Sequence, residues 1–178
     1  PVAGAQRALI EREHERGEGG ALISYDPNIR PTVEPSLAIW RDTLAWMLPR
    51  THLLKISEED VGLLFPGAAL AELATAWLAQ GPRLVVITRG GQGALGFTTS
   101  TQVQAAPMQV EVIDTVGAGD TFQAAMLTWL AEHGRLSIDG VSLLDAAALR
   151  DLLAFATRAA AITCSRRGAD LPRRNELR

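Results

Sequence analysis

The sequence is poor in the residues that staple small secreted or metal-held scaffolds. Its 178 residues include one cysteine, Cys164, and three histidines. A single cysteine closes no intramolecular disulfide and cannot build a Cys-rich zinc site. With a start that lacks signal-peptide character, it sets the expectation of a reducing cytoplasm. His14, His52 and His133 have no ligand-like spacing to one another or to Cys164, so a histidine metal site or nucleophile–histidine pair is not expected. Positive charge is not in excess. Seventeen Lys and Arg against twenty Asp and Glu leave a formal charge of −3, which gives no general pull toward nucleic acid or anionic lipid. Arg166, Arg167, Arg173 and Arg174 form the one basic cluster and lack interleaved aromatics, so they read as a solvated tail. Long apolar runs are missing too. Ala68 to Ala79 and Ala124 to Ala131 fall well short of the ~18 residues a membrane span needs. What remains is 47% hydrophobic and 21% charged residues, the composition of a soluble chain able to bury a core, at a length near the rough 150-residue prior for one domain.

Strands and helices alternate along this chain. Val2 to Arg16 has helical spacing and stops at Gly17, Gly19 and Gly20. Ala21 to Tyr25 reads as a buried strand, followed by a loop, because Pro27 and Pro31 push their predecessors toward extended geometry. Leu37, Trp40, Leu44 and Met47 mark a helix running to Leu48, and His52 to Lys55 a strand. Ser57-Glu58-Glu59-Asp60 has the pattern of an N-cap with acids in the first turn. A further helix is expected over Ala68 to Ala79. Leu84-Val85-Val86-Ile87 is an unbroken apolar run typical of a strand covered on both faces. Ala94 to Phe97, Thr101 to Gln104 and Gln109 to Ile113 are read as three more strands, with some antiparallel pairing in this middle part. A helix through Trp129 and an Ala-rich one from about Ala146 to Thr163 close the chain. Trp40, Trp46, Trp77 and Trp129 all fall on these helices and are assigned to the core. The pattern predicts a layered α/β domain with a largely parallel sheet.

The segment with the most chemistry is Asp114-Thr115-Val116-Gly117-Ala118-Gly119-Asp120-Thr121-Phe122, between an apolar run and a helix. Gly117 and Gly119 permit backbone angles closed to other residues, and small Ala118 lets successive N–H groups face one anion. The helix beginning there adds partial positive charge, so a phosphoryl group could be held without a lysine. Asp120 beside such a site is suited to receive a proton and orient an attacking hydroxyl, since phosphoryl transfer relies on positioning more than on basicity. A plain tight turn with Asp120 as a helix cap is the alternative reading of the same residues.

Asp114 to Phe122 resembles the C-terminal signature of the ribokinase-like (PfkB) carbohydrate kinases, Asp-Thr-x-Gly-Ala-Gly-Asp. Asp26-Pro27-Asn28-Ile29-Arg30-Pro31 is similar to a loop of fructokinases and 2-keto-3-deoxygluconate kinases. Thr88-Arg89-Gly90-Gly91-Gln92-Gly93 resembles the family's nucleotide loop, and Arg158 through Ala169 its closing helix and turn. The resemblance implies a ribokinase-like three-layer α/β/α fold with a mostly parallel central sheet, and ATP-dependent phosphorylation of a sugar primary hydroxyl, fructose first. A 2-keto-3-deoxygluconate kinase is the alternative substrate reading, and a catalytically silent nucleotide-binding module the alternative of another class. It further implies Asp120 as catalytic base, Gly117, Ala118 and Gly119 as anion hole, and Thr88, Gly90, Gly93 and Gly119 against the nucleotide. Asn28, Arg30 and Asp120 are implied on the substrate side, with Arg30 reaching the transferring phosphoryl. The cofactors implied are ATP and Mg²⁺, with Glu58 organising water around the metal, and secondarily K⁺ near Asp114. Lys55 stands where the family pattern has Asn. The matches begin well past the family's midpoint, so the N-terminal strands, most sugar contacts and the β lid are expected to be absent. A homodimer is the expectation for the full-length protein, and little activity for this part alone.

Overall fold

The computed structural model describes residues 4–177. Val2, where the first helix is expected to begin, lies outside them. Five strands form one sheet in chain order: β1 Ser24–Tyr25, β2 Leu53–Ser57, β3 Leu84–Thr88, β4 Ala94–Phe97 and β5 Gln102–Ala105. β1, β2 and β3 pair in parallel, and β4 runs antiparallel to both β3 and β5. Four strands therefore point one way, with β4 as the return stroke of a hairpin. The helices are α1 Gly4–Glu15, α2 Leu37–Met47, α3 Glu58–Leu64, α4 Leu70–Leu78, α5 Ala118–Glu132, α6 Ile138–Ser142 and α7 Ala146–Cys164.

The apolar run of β3 is explained by cover on both faces. Leu53, Leu84 and Val86 pack with Met126 and Leu130 of α5 and Leu149, Leu152 and Leu153 of α7. The alternate residues Leu54, Ile56, Val85 and Ile87 pack with Trp40, Leu44, Leu64 and Trp77 from α2, α3 and α4. Period-two alternation thus divides two cores between two helical layers, giving α/β/α. Gly96 on β4 lets α7 come close, since a Cβ there would lie 2.9 Å from Leu153 Cδ1 and 3.0 Å from Leu149 Cδ1. The helix starts are capped as the composition suggests. Ser57 Oγ accepts the Asp60 N–H at 3.0 Å, and Asp145 Oδ1 accepts that of Ala148 at 2.8 Å. Among the described residues no helix is long and apolar enough to cross a membrane.

Several expectations are corrected. Gln109–Ile113 is not a strand. The N–H groups of Ile113 and Asp114 both bond to the Cys164 carbonyl, at 2.8 and 3.2 Å, so the segment is tied to the end of α7 and not to the sheet. Val112 and Ile113 stay 61% and 54% exposed. The strand expected over Ala21–Tyr25 pairs at Ser24 and Tyr25 only. The helix expected to reach Leu48 ends at Met47, where Leu48–Arg50 tightens into a 3₁₀ turn around Pro49. Trp46 is half-buried, outside both cores, with the guanidinium carbons of Arg7 and Arg50 each 4.4 Å from its ring. The tail is docked: Arg174 bonds both Glu132 oxygens at 2.6 and 2.9 Å, and Arg166 pairs with Glu176.

Candidate functional site

In a parallel α/β sheet, ligands bind beyond the carboxyl ends of the strands, where helix N-termini and loops converge. Here the loop after β1 carries Asp26 to Arg30, the end of β2 carries Lys55 and then Glu58, and the loop after β3 carries Gly90 to Gly93. Gly117 to Asp120 opens α5.

Gly117 caps α5 in the left-handed region, at φ 79° and ψ −2°. A Cβ there would lie 2.8 Å from the Ala169 Cβ, so glycine is required by backbone and by space alike. The Gly117 carbonyl accepts both the N–H and the hydroxyl of Thr121, at 2.8 and 2.9 Å. Thr121 Oγ1 also lies 3.0 Å from Thr163 Oγ1, which locks the first turn of α5 to α7 in a buried contact. The Ala118 N–H turns back to the Thr115 carbonyl at 3.2 Å. The first-turn amides of Gly119 and Asp120 find no backbone acceptor outside the helix among the described residues, which is the usual state of the first amides of a helix. Asp120 is exposed and makes no hydrogen bond or ion pair with another described residue.

Beside Gly119 stands a cation. A Cβ on Gly119 would fall 3.0 Å from Lys55 Nζ. That ammonium donates to Asp26 Oδ2 at 2.7 Å, and the two side chains are 5% and 15% exposed. Asp26 Oδ1 accepts the Asn28 N–H at 3.2 Å, holding Asn28 at φ 46°. Arg30 is exposed and donates to the carbonyl of its neighbour Ile29 at 2.8 Å. Close by, burial pushes the carboxyl of Asp60 above its ordinary range, against a hydrogen bond with Ser57 that lowers it.

Thr88, Gly90 and Gly93 meet Ala118 and Gly119 in one cleft of about 190 Å³ that opens to solvent. Met108, Val110 and Val112 wall it, and Ala160, Ala161 and Cys164 of α7 complete it. Its apolar lining suits the flat face of a ring such as a base, and its open mouth leaves the rest of a ligand in solvent. Gly117, Asp120, Asn28 and Arg30 are outside this lining. The apolar wall was missed because Val110 and Val112 carry the alternation of a strand. Lys55 appeared in the sequence only as a departure from a pattern.

Glu58, expected near a metal, is held by Arg89, whose Nε lies 3.3 and 3.4 Å from its two oxygens. Among the described residues no group of three or more His, Cys, Asp or Glu could hold a metal ion. Asp114 accepts the N–H of Val116 at 3.0 Å and of Gly168 at 2.9 Å, so each carboxylate oxygen ties down one turn. Those bonds, that of Val116 foremost, hold its carboxyl below the usual range. A depressed folded value stabilises the fold above the unfolded pKa, and that contribution disappears as pH falls through the folded one. Asp114→Asn should therefore flatten the acid limb of a plot of Tm against pH while lowering Tm at neutral pH. An unchanged limb would detach Asp114 from the turn.

The sequence profile of the pfkB family of carbohydrate kinases matches residues 7–176. The chain belongs to this family. A pfkB relative named fructokinase, from Rhizobium leguminosarum bv. trifolii, is 36% identical over 151 residues, covering 85% of this chain and 45% of its own length. Probable fructokinase-4 of Arabidopsis thaliana is 31% identical over 163 residues, 90% of this chain and 48% of that protein. The chain thus spans about half the length of the curated relatives it matches. Among solved structures, a Vibrio cholerae O395 fructokinase double mutant bound to fructose, ADP and potassium ion superposes with a TM-score of 0.81 at 26% identity, over 99% of this chain and 56% of that one. A ribokinase II from E. coli in complex with ATP and Mg²⁺ superposes with a TM-score of 0.71 at 30% identity, over 94% and 49%. The ribokinase-like fold of the pfkB family expected from the motifs is the fold observed.

Proposed function

We propose that this chain supplies the nucleotide-binding and phosphoryl-transfer half of a sugar kinase that moves the γ-phosphoryl group of ATP to a primary hydroxyl, with fructose as acceptor. The observation that carries this reading is the junction at Gly119. An apolar cleft ends on the first turn of a helix, beside a fixed ammonium and a carboxylate that has no partner among the described residues.

Each residue has a task in that reaction. The base lies between the Val110–Val112 wall and α7. Thr88, Gly90 and Gly93 bring main chain close to the ribose and phosphates. The magnesium complex of ATP is the substrate, and the metal neutralises its phosphates. The amides at the start of α5 face charge growing on the transferred group, which is where electrostatic stabilisation raises the rate. Asp120 accepts the proton of the attacking hydroxyl. Asn28 and Arg30 border the acceptor side. Fructose is favoured over 2-keto-3-deoxygluconate by the names of the relatives, which are fructokinases at 28–36% identity.

The test is ADP release by the full-length protein over a panel of sugars, with calorimetry of ATP beside it. Turnover with fructose well above that with 2-keto-3-deoxygluconate supports the reading. ATP binding without transfer to any sugar would leave a nucleotide-binding module and sink it.

A further inference from the structure

We infer that Lys55 is a catalytic residue of this site, a buried ammonium that donates to the transferring phosphoryl group, and that Asp26 is the positioning residue that aims it. This rests on the kinase reading above and adds a residue to it.

The geometry comes first. Lys55 lies on β2 facing the α5 side of the sheet, and its Nζ is close enough to Gly119 that a single added carbon there would stand 3.0 Å away. An ammonium has three N–H donors. In the described residues one of them is used, by Asp26 Oδ2 at 2.7 Å, although the side chain is only 5% exposed. Donors kept from water without a partner are costly, and a phosphoryl oxygen seated on the Gly119 amide would accept one. The expense of the pair points the same way. Taking two charges out of water offsets much of their attraction, so fold stability alone explains a buried ion pair poorly.

Asp26 fixes the direction. Its second oxygen holds the Asn28 N–H at 3.2 Å, so the carboxylate is pinned to the β1 loop and cannot follow Lys55 if the lysine moves. The ammonium is thus tethered from the acceptor side while it faces the donor side. A fixed cation at this point also offsets the negative charge of Asp120 on the same helix turn, letting an anion approach a site that holds a carboxylate. The other charged groups facing the pair, Asp60 and Arg30, act across the β1 and α3 side and interact with it only through space.

The experiment uses the full-length protein. Lys55→Met alone leaves the half-buried Asp26 carboxylate without its counter-ion, so the informative variant is the double one, Asp26→Asn with Lys55→Met, which removes both charges together. We expect kcat with fructose and ATP to fall about 10²-fold or more, the loss typical of removing one transition-state donor, with ADP affinity by calorimetry within about threefold of the parent. Lys55→Arg should recover part of the rate. A folded double variant whose kcat stays within threefold of the parent overturns the inference, and so does a loss of ADP affinity as large as the loss of rate, which marks a structural role. A double variant that does not fold also overturns it, because the pair would then be needed for stability. A parent protein that phosphorylates no sugar overturns the kinase reading itself, an outcome distinct from an active parent with an unimpaired variant.

Discussion

Asp120→Asn in the full-length protein is expected to lower kcat by 10²–10⁴-fold, the range for losing a positioned base, while leaving ATP affinity near its original value. At 1.36 kcal/mol per tenfold, that is roughly 3–5 kcal/mol of transition-state stabilisation. The expectation of a clean effect comes from the surroundings of the side chain. Asp120 is exposed in the first turn of α5 and bonds to no other described residue, so asparagine replaces it at equal size without breaking an internal contact. The amide keeps the hydroxyl-orienting capacity of an oxygen and loses only the ability to take the proton. ATP affinity is spared because the walls of the cleft do not include this residue. Single-turnover transfer to fructose, measured beside ATP calorimetry, separates the two quantities. Equal losses in both would make Asp120 a binding group, and an unchanged rate would leave it a solvated acid in the first turn of α5.

Much of this site could be read from residue order because its parts are local. The Gly117-Ala118-Gly119-Asp120 segment marks a helix start by its own turn residues, and Ser57 caps a helix through a bond to the residue three positions on. The apolar run of β3 announces two covering layers for the same reason. What escaped was non-local or depended on a ligand. Val110 and Val112 alternate as a strand would, yet their apolar face lines a cleft, and no sheet edge receives the backbone. An apolar residue that lines a cleft and one that fills a core have the same hydropathy. A tryptophan on a helix is expected in the core, and Trp46 departs from that expectation. Arg50 is one turn on, but Arg7 lies 39 residues away and reaches the ring only in the folded chain. Lys55 and Asp26 meet across 29 positions of sequence, and only the parallel pairing of β1 with β2 brings them together.

A second large effect is expected at Gly93, where Gly93→Ala should cost about 4 kcal/mol of folding stability in urea denaturation. Two penalties combine there. The backbone sits at φ 85° and ψ −137°, a region essentially closed to residues with a side chain, which is worth roughly 1–3 kcal/mol. A Cβ would also fall 2.1 Å from the Ala105 carbonyl oxygen and 3.0 Å from Ala106 C and Pro107 N. These are main-chain atoms at the end of the partner strand and of the two residues after it, so they cannot swing aside as a side chain would, and overpacking of this kind adds roughly 1–3 kcal/mol. Relief requires β4 and β5 to part at Ala94 and Ala105, the pair that begins their ladder. The segment leaving β5 runs on to Met108 and Val110, so the same displacement pulls the apolar wall from the cleft, and ATP affinity should fall with stability. Gly90 supplies the control. It too has positive φ, at 50°, but a Cβ there meets nothing within 4 Å, so Gly90→Ala should cost only the left-handed backbone penalty of roughly 1–2 kcal/mol. Similar losses at both positions would mean that the hairpin yields freely at Ala105 and that close main-chain approach is not what fixes glycine at 93.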